Sequence, residues 1–190
     1  MSLDRFLRTT EGQFAEWVDG EVTYMAVSDP HQDRVEFLAG LMRLYSEDKR
    51  LGKVRTAPYS MKLPGKRVVR EPDIMFVSSA NLGKITYKYL DGACDIAVEV
   101  ISPDSRTRDR RDKFSEYAAA GIAEYWLIDE SRHWAQFYRL DEDGVYTLAP
   151  ISDDGIFRSQ ALPGFWIQIA CLWQDELPRL NDVQRQWGLI

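Results

Sequence analysis

The sequence predicts a mixed-sheet α/β domain, and three observations predict it. Cys94 to Asp129 reads as strand, polar loop, helix, strand, which implies at least one parallel pair joined by a right-handed crossover. Two strand-like runs, FAEWV and EVTYM, flank Asp19-Gly20, a dipeptide suited to a tight I′ turn, so antiparallel pairing is expected too. A helical stripe of Val35, Leu38, Leu41, Met42 and Tyr45 then supplies an apolar face to cover a sheet.

The elements follow in order. The hairpin spans Phe14 to Met25. Ser28-Asp29-Pro30 starts a helix, with Asp29 as a cap and Pro30 in the first turn. That helix ends near Lys49, before Gly52, and carries His31 and Glu36. A lone histidine at a helix start reads first as structural. From Lys53 to Leu63, Ala57, Tyr59, Met61 and Leu63 alternate with polar residues, which predicts one half-buried strand. Pro64-Gly65 turns the chain into a strand over Val68 to Val77, where Pro72 marks an edge, a bulge or the true strand start.

Ser78 to Gly92 reads as a connector with weak helical character. Ile96 to Ile101 is apolar at almost every position, the pattern of a strand covered on both faces. Ser102-Pro103 ends it. A helix over Asp109 to Ala120 follows, with Thr107 as cap and Gly121 as stop. Glu124 to Asp129 is the next strand. Trp134 to Leu140 and Val145 to Leu148 pair around the acidic Asp141–Gly144 loop, and Phe157 to Trp173 adds one or two strands around Pro163-Gly164. The tail from Gln174 to Trp187 reads as helical. No internal repeat or linker divides the chain, so residues 1–190 are expected to be one domain with its core over about 14–173.

The chain has 190 residues, 45% hydrophobic and 28% charged, enough for one ordinary core. No apolar run reaches membrane-spanning length, and MSLDRFLRTTEG lacks the apolar core of a signal peptide. Cys94 and Cys171 lie far apart in apolar segments and read as reduced core residues, so a cytoplasmic location is expected. A net charge of −6 argues against coating nucleic acid through charge alone. Between Lys49 and Arg70, however, eight basic residues occur with no acidic one, including Arg55, Lys62 and Arg70. Either this is solvated surface or it is a face for an anionic ligand.

Asp73, Glu99 and Lys113 stand out chemically. Glu99 interrupts an apolar run, and an ionised carboxylate in such surroundings costs several kcal/mol, on the order of the general burial penalty, unless a cation pairs with it. Two carboxylates from neighbouring strands can converge on one hard cation, with the Val100 carbonyl as another ligand. A nearby lysine could orient a water or offset charge on phosphate.

Here a resemblance becomes specific. Pro72-Asp73 followed by Glu99 in a Val-Glu-Val strand looks like the PD-(D/E)XK nuclease superfamily. Glu71-Pro72-Asp73-Ile74, then Val98-Glu99-Val100-Ile101-Ser102-Pro103 with Arg108-Asp109, Lys113, Tyr117, Gly121 and Glu124-Tyr125-Trp126-Leu127, resembles its Uma ("Uma-two") branch of restriction-endonuclease-like proteins. Asp19-Gly20-Glu21 and Pro163-Gly164-Phe165 extend the likeness over roughly Phe14 to Trp173. The resemblance implies a restriction-endonuclease-like mixed β-sheet core flanked by helices, with added hairpins. It implies metal-dependent cleavage of DNA, with Asp73 and Glu99 as ligands of Mg2+ or Mn2+. The superfamily's lysine two residues after the glutamate is Ile101 here, and the branch nominates Lys113 instead.

Bland alternatives stand beside these. Asp73 could cap a turn, Glu99 could sit in a structural ion pair, and Lys113 has ordinary helix salt-bridge spacing from Asp109. Tyr117 shares the helical face of Lys113 and either serves the site or packs. Glu71 would share a face with Asp73 in one strand, as an extra ligand or a surface group. Glu36 is a further accessory candidate. Arg55, Lys62 and Arg70 are expected to face DNA phosphates, and cutting two strands would suit a homodimer. The rival readings are an inactive DNA-binding or protein-interaction module on the same fold, favoured by the missing lysine at 101, and a structural protein with merely paired carboxylates.

Overall fold

A computed structural model describes residues 1–10, 13–25, 28–101 and 109–190. Helix α1 (Leu3–Thr9), which the sequence pattern did not announce, precedes the hairpin β1 (Ala15–Val18) and β2 (Glu21–Tyr24). Asp19 and Gly20 both take positive φ, as the tight turn requires. Helix α2 (Asp29–Asp48) follows, with Ser28 rather than Asp29 at the N-cap and Pro30 in the first turn.

Two predicted strands are each split in two. Lys53–Leu63 becomes β3 (Gly52–Thr56) and β4 (Ser60–Lys62), and Val68–Val77 becomes β5 (Val68–Arg70) and β6 (Ile74–Ser78). In both cases the break falls at a proline, Pro58 or Pro72, which has no N–H for a ladder. The consequence is larger than a kink: each break passes the chain from one sheet to another. One sheet has the order β2-β1-β5-β4-β7, where β7 is Tyr89–Asp91. The other runs β11-β10-β9-β8-β6-β3. Its remaining strands are β8 (Ile96–Val100), β9 (Glu124–Asp129), β10 (Trp134–Leu140) and β11 (Tyr146–Leu148).

The β8–β9 pair is parallel, and β6, β10 and β11 join antiparallel, so the mixed sheet is as expected. Between β8 and β9 the described chain resumes at Asp109–Lys113, a wide helical turn that leads into α3 (Phe114–Ala120), which Gly121 ends at φ 79°. The helix cap and strand end expected at Thr107 and Ser102-Pro103, and Arg108 of the motif, lie outside the described residues. A hairpin of β12 (Ile156–Arg158) and β13 (Trp166–Gln168) and the tail helix α4 (Leu180–Gln186) complete the order.

Strand β8 is buried along its whole length because both faces of the six-stranded sheet are covered. On one face Ile96, Val98, Val100 and Trp126 pack with Val35, Leu38 and Leu41 of α2. On the other, Ala97, Ile101, Tyr125 and Leu127 pack with Met61, Leu63 and Val68 of the smaller sheet and Tyr117 of α3. Cys94 and Cys171 are buried and free. Among the described residues no helix is long and apolar enough to cross a membrane.

Candidate functional site

The site grows from the end of β8 where it meets β6. Ile74 opposes Val98 in this antiparallel pair, so extending the register by one residue sets Asp73 level with Glu99. Pro72 has just ended the previous strand, and Asp73 lies in the bend before β6. Its Oδ2 accepts the Val100 N–H at 2.7 Å, which fixes the carboxylate beside the peptide joining Glu99 to Val100. His31 Nε2, from the first turn of α2, stands 3.3 Å from the same oxygen. The histidine that read as structural is therefore a neighbour of Asp73.

Glu99 points to the other face of the sheet, by the alternation that puts Ala97 and Ile101 there. The Tyr117 hydroxyl donates to its Oε1 at 2.9 Å, and Lys113 Nζ lies 2.9 Å from its Oε2. Lys113 and Tyr117 are four residues apart, so one helical face delivers both. Burial, followed by the charge of Glu99, pushes the Tyr117 phenol well above its ordinary value, which keeps it a donor.

Lys113 also lies 3.0 Å from Oε1 of Glu16, in β1. Glu16 Oε2 in turn accepts from Arg70 at 2.9 Å, and Arg70 grips Glu116 of α3 through two bonds of 2.7 and 2.9 Å. Lys113, Glu16 and Arg70 are 1%, 1% and 4% exposed. Removing one partner from such a chain would strand a buried charge. Burial pulls the Arg70 guanidinium down, but bonding to Glu116 and the charge of Glu16 hold it above its usual value.

Several expected residues take other places. Arg70 is a member of this buried network, not a phosphate-facing surface residue, because β5 is paired on both sides and buried throughout. Glu71 and Asp73 do not share a strand face, because Pro72 separates the two sheets between them. Glu71 accepts the Ala15 N–H at 2.8 Å and the Ser60 hydroxyl at 2.9 Å. Burial nevertheless pushes its carboxyl up to about 7. Lys62 pairs with Asp91 at 3.1 Å, Arg55 bonds its own strand at the Val54 carbonyl, and both remain partly accessible. Glu36 accepts from Gln32 and lines a cleft of about 260 Å3 together with His31, Arg43 and Asp73.

Sequence reasoning missed Glu16 and Glu116. Glu16 did carry a signal, an acid inside the apolar run Phe14-Ala15-Glu16-Trp17-Val18, the same mark that singled out Glu99. Glu116 carried none, being one more acid on a charged helix.

Asp73 and Glu99 are oxygen donors of the class that a hard cation completed by water and substrate takes, although Asp73 is held beside His31 and Glu99 beside Lys113 and Tyr117. Asp73 and Glu99 bring two carboxylates to one sheet end, and each carboxylate oxygen has more than one acceptor position. Among the described residues no group of three or more His, Cys, Asp or Glu side chains could hold a metal. That excludes an all-side-chain cage from them, but two carboxylates with waters and phosphate are the usual surroundings of Mg2+.

A solved structure titled a putative nuclease belonging to DUF820, from Anabaena variabilis ATCC 29413, is similar in fold. Its TM-score is 0.74 at 16% identity, covering 91% of this chain and 97% of that one. No curated protein matches the sequence. The family model for Uma2, described as "Putative restriction endonuclease", matches residues 3–170, the stretch that holds Glu16, Asp73, Glu99 and Lys113. The chain belongs to the Uma2 family.

Proposed function

We propose that the protein is a divalent-metal-dependent endonuclease that hydrolyses DNA phosphodiester bonds. The observation that carries this reading is the meeting of β6 and β8. Asp73 Oδ2 is held by the Val100 N–H while Glu99, one residue back, is held by Lys113 and Tyr117. Carboxylates from neighbouring strands thus lie level at one sheet end, with the ammonium on the Glu99 side.

Asp73, Glu99 and the Val100 carbonyl would hold Mg2+ or Mn2+. When bound, the cation supplies Lewis acidity at the phosphate and a more acidic water. Lys113 holds Glu99 Oε2 and sets a positive charge beside the reacting phosphate. This reading takes the ammonium missing at position 101 from Lys113, and the contact of Lys113 with Glu99 supports it. Tyr117 fixes Glu99 Oε1, His31 braces Asp73, and Glu16 locks Lys113 in place. Arg55 and Lys62 remain candidates for phosphate contacts, which position a strand without reading its sequence.

One observation favours a second reading, of paired structural carboxylates. The Glu99 side chain is only 5% exposed, and each of its oxygens already has a partner. Titration calorimetry with Mg2+ and Mn2+, followed by incubation with plasmid and single-stranded circular DNA, separates the two. The nuclease reading expects binding and cleavage by wild type, both lost in Glu99→Gln. Cleavage retained in Glu99→Gln, or no metal binding with or without DNA, would sink it.

A further inference from the structure

A second cleft adjoins the one beside Asp73. The first, of about 260 Å3, is lined by Phe14, His31, Glu36, Arg43 and Asp73. The second, of about 330 Å3, is lined by Thr10, Tyr59, Tyr87 and Lys88. Thr56 and Ala57 border both, so the two lie side by side at the turn that ends β3.

The two clefts differ in character. At the Asp73 end the lining carries both signs, Asp73 and Glu36 together with Arg43 and His31. At the far end Lys88 is the only charged residue in the described lining. Tyr87 is 91% exposed there, an apolar ring with a polar hydroxyl open to a partner. The Tyr59 ring is held in place, because its hydroxyl donates to the Thr86 carbonyl at 2.8 Å. The Arg55 guanidinium sits 5.9 Å from the centre of that ring. A flat, exposed ring beside a second, anchored ring, with a lysine and an arginine close by, is the chemistry that holds unstacked bases and the phosphates between them. Each lobe lies near the lower end of the roughly 300–1,000 Å3 typical of small-ligand pockets, so it has room for about one nucleotide and none for a duplex.

We infer that the adjoining clefts from Asp73 to Tyr87 bind a single, unpaired strand of nucleic acid, with a base stacked on Tyr87 and its phosphates running past Lys88 toward Asp73. The inference rests on the nuclease reading and names its substrate class: single-stranded or locally unpaired DNA rather than intact duplex. Phe14, in the Asp73 lobe, offers a second apolar surface for the nucleotide nearest the cleavage point.

The test is fluorescence polarisation with a labelled oligothymidylate of about 12 nucleotides and a labelled duplex of the same length, with calcium in place of magnesium. Wild type is expected to bind the single strand more tightly than the duplex. Tyr87→Ala should weaken single-strand binding by about 5- to 100-fold and leave duplex binding unchanged. Tyr87→Phe should retain affinity because the ring is kept. Lys88→Glu should weaken binding and flatten its salt dependence. Tyr87 is so exposed that these variants leave the core untouched. Duplex binding equal to or tighter than single-strand binding, or wild-type affinity in Tyr87→Ala, overturns this inference and leaves the nuclease reading standing. If wild type binds neither oligonucleotide, this inference falls, and the nuclease reading is decided by metal binding and plasmid cleavage.

Discussion

Lys113 reaches across two sheets to hold two carboxylates at once, Glu99 of the six-stranded sheet at 2.9 Å and Glu16 of the five-stranded sheet at 3.0 Å. Its side chain is 1% exposed. Taking three charged groups out of water is favourable only when each remains partnered, so the sheets, the lysine and the glutamates are energetically one unit. The same arrangement that would prepare Glu99 for chemistry also joins the layers.

Lys113→Met removes the ammonium and leaves both glutamates buried without it. Breaking a buried pair costs about 3–5 kcal/mol, on the order of 10 °C in Tm for a chain of this size. Urea unfolding of the variant should show a correspondingly lower midpoint with an unchanged m-value. The triple variant with Glu16→Gln and Glu99→Gln should recover part of the loss, because no unpaired charge is left.

Asp73→Asn keeps an oxygen that can accept the Val100 N–H but discards the charge. The fold should therefore hold, with Tm within about 3 °C of wild type, while calorimetric binding of Mg2+ and Mn2+ disappears. Wild-type metal affinity in this variant would remove Asp73 from the proposed cation site.

Glu99→Gln preserves the shape of the side chain and its bond with Tyr117. Loss of a ligand that touches the metal, as proposed for Glu99, should exceed the about 10–100-fold effect typical of an outer-shell partner. Plasmid nicking assays should thus show at least a hundredfold slower cleavage, on the order of the upper end of that range. Glu16→Gln, which acts through Lys113, should lower the turnover rate and leave apparent Mg2+ affinity within a few fold.

Glu71 makes stability depend on pH. Burial holds its carboxyl at about 7 against an ordinary 4.5, despite the opposing bonds from Ala15 and Ser60. Between those values the folded protein keeps a proton that the unfolded chain has released. Its contribution is therefore complete below pH 4.5 and is lost as pH rises through 7, at most roughly 3 kcal/mol. Denaturant midpoints measured from pH 4.5 to 7.5 should contain this falling component, and Glu71→Gln should remove it. An unchanged slope in the variant would show that Glu71 titrates normally.

Much of the architecture was legible in the sequence because its causes are local. The Asp19-Gly20 turn, the α2 stripe, the unbroken apolar run of β8 and the stop at Gly121 each act within a few residues. So does the anomaly of an acid in an apolar strand, which exposed Glu99 and could have exposed Glu16. The motif from Pro72 to Trp126 determined the family. Only the tertiary structure decided that Pro58 and Pro72 pass the chain between sheets, since a proline ends a ladder but does not say where the next strand pairs. That one decision separated Glu71 from Asp73 and drew Arg70 out of a basic surface cluster into a buried network. It also decided which cation meets which carboxylate. Residues 16, 70, 99 and 113 are brought together by sheet packing, and ion pairing between them is a property of the packed layers that no local pattern encodes.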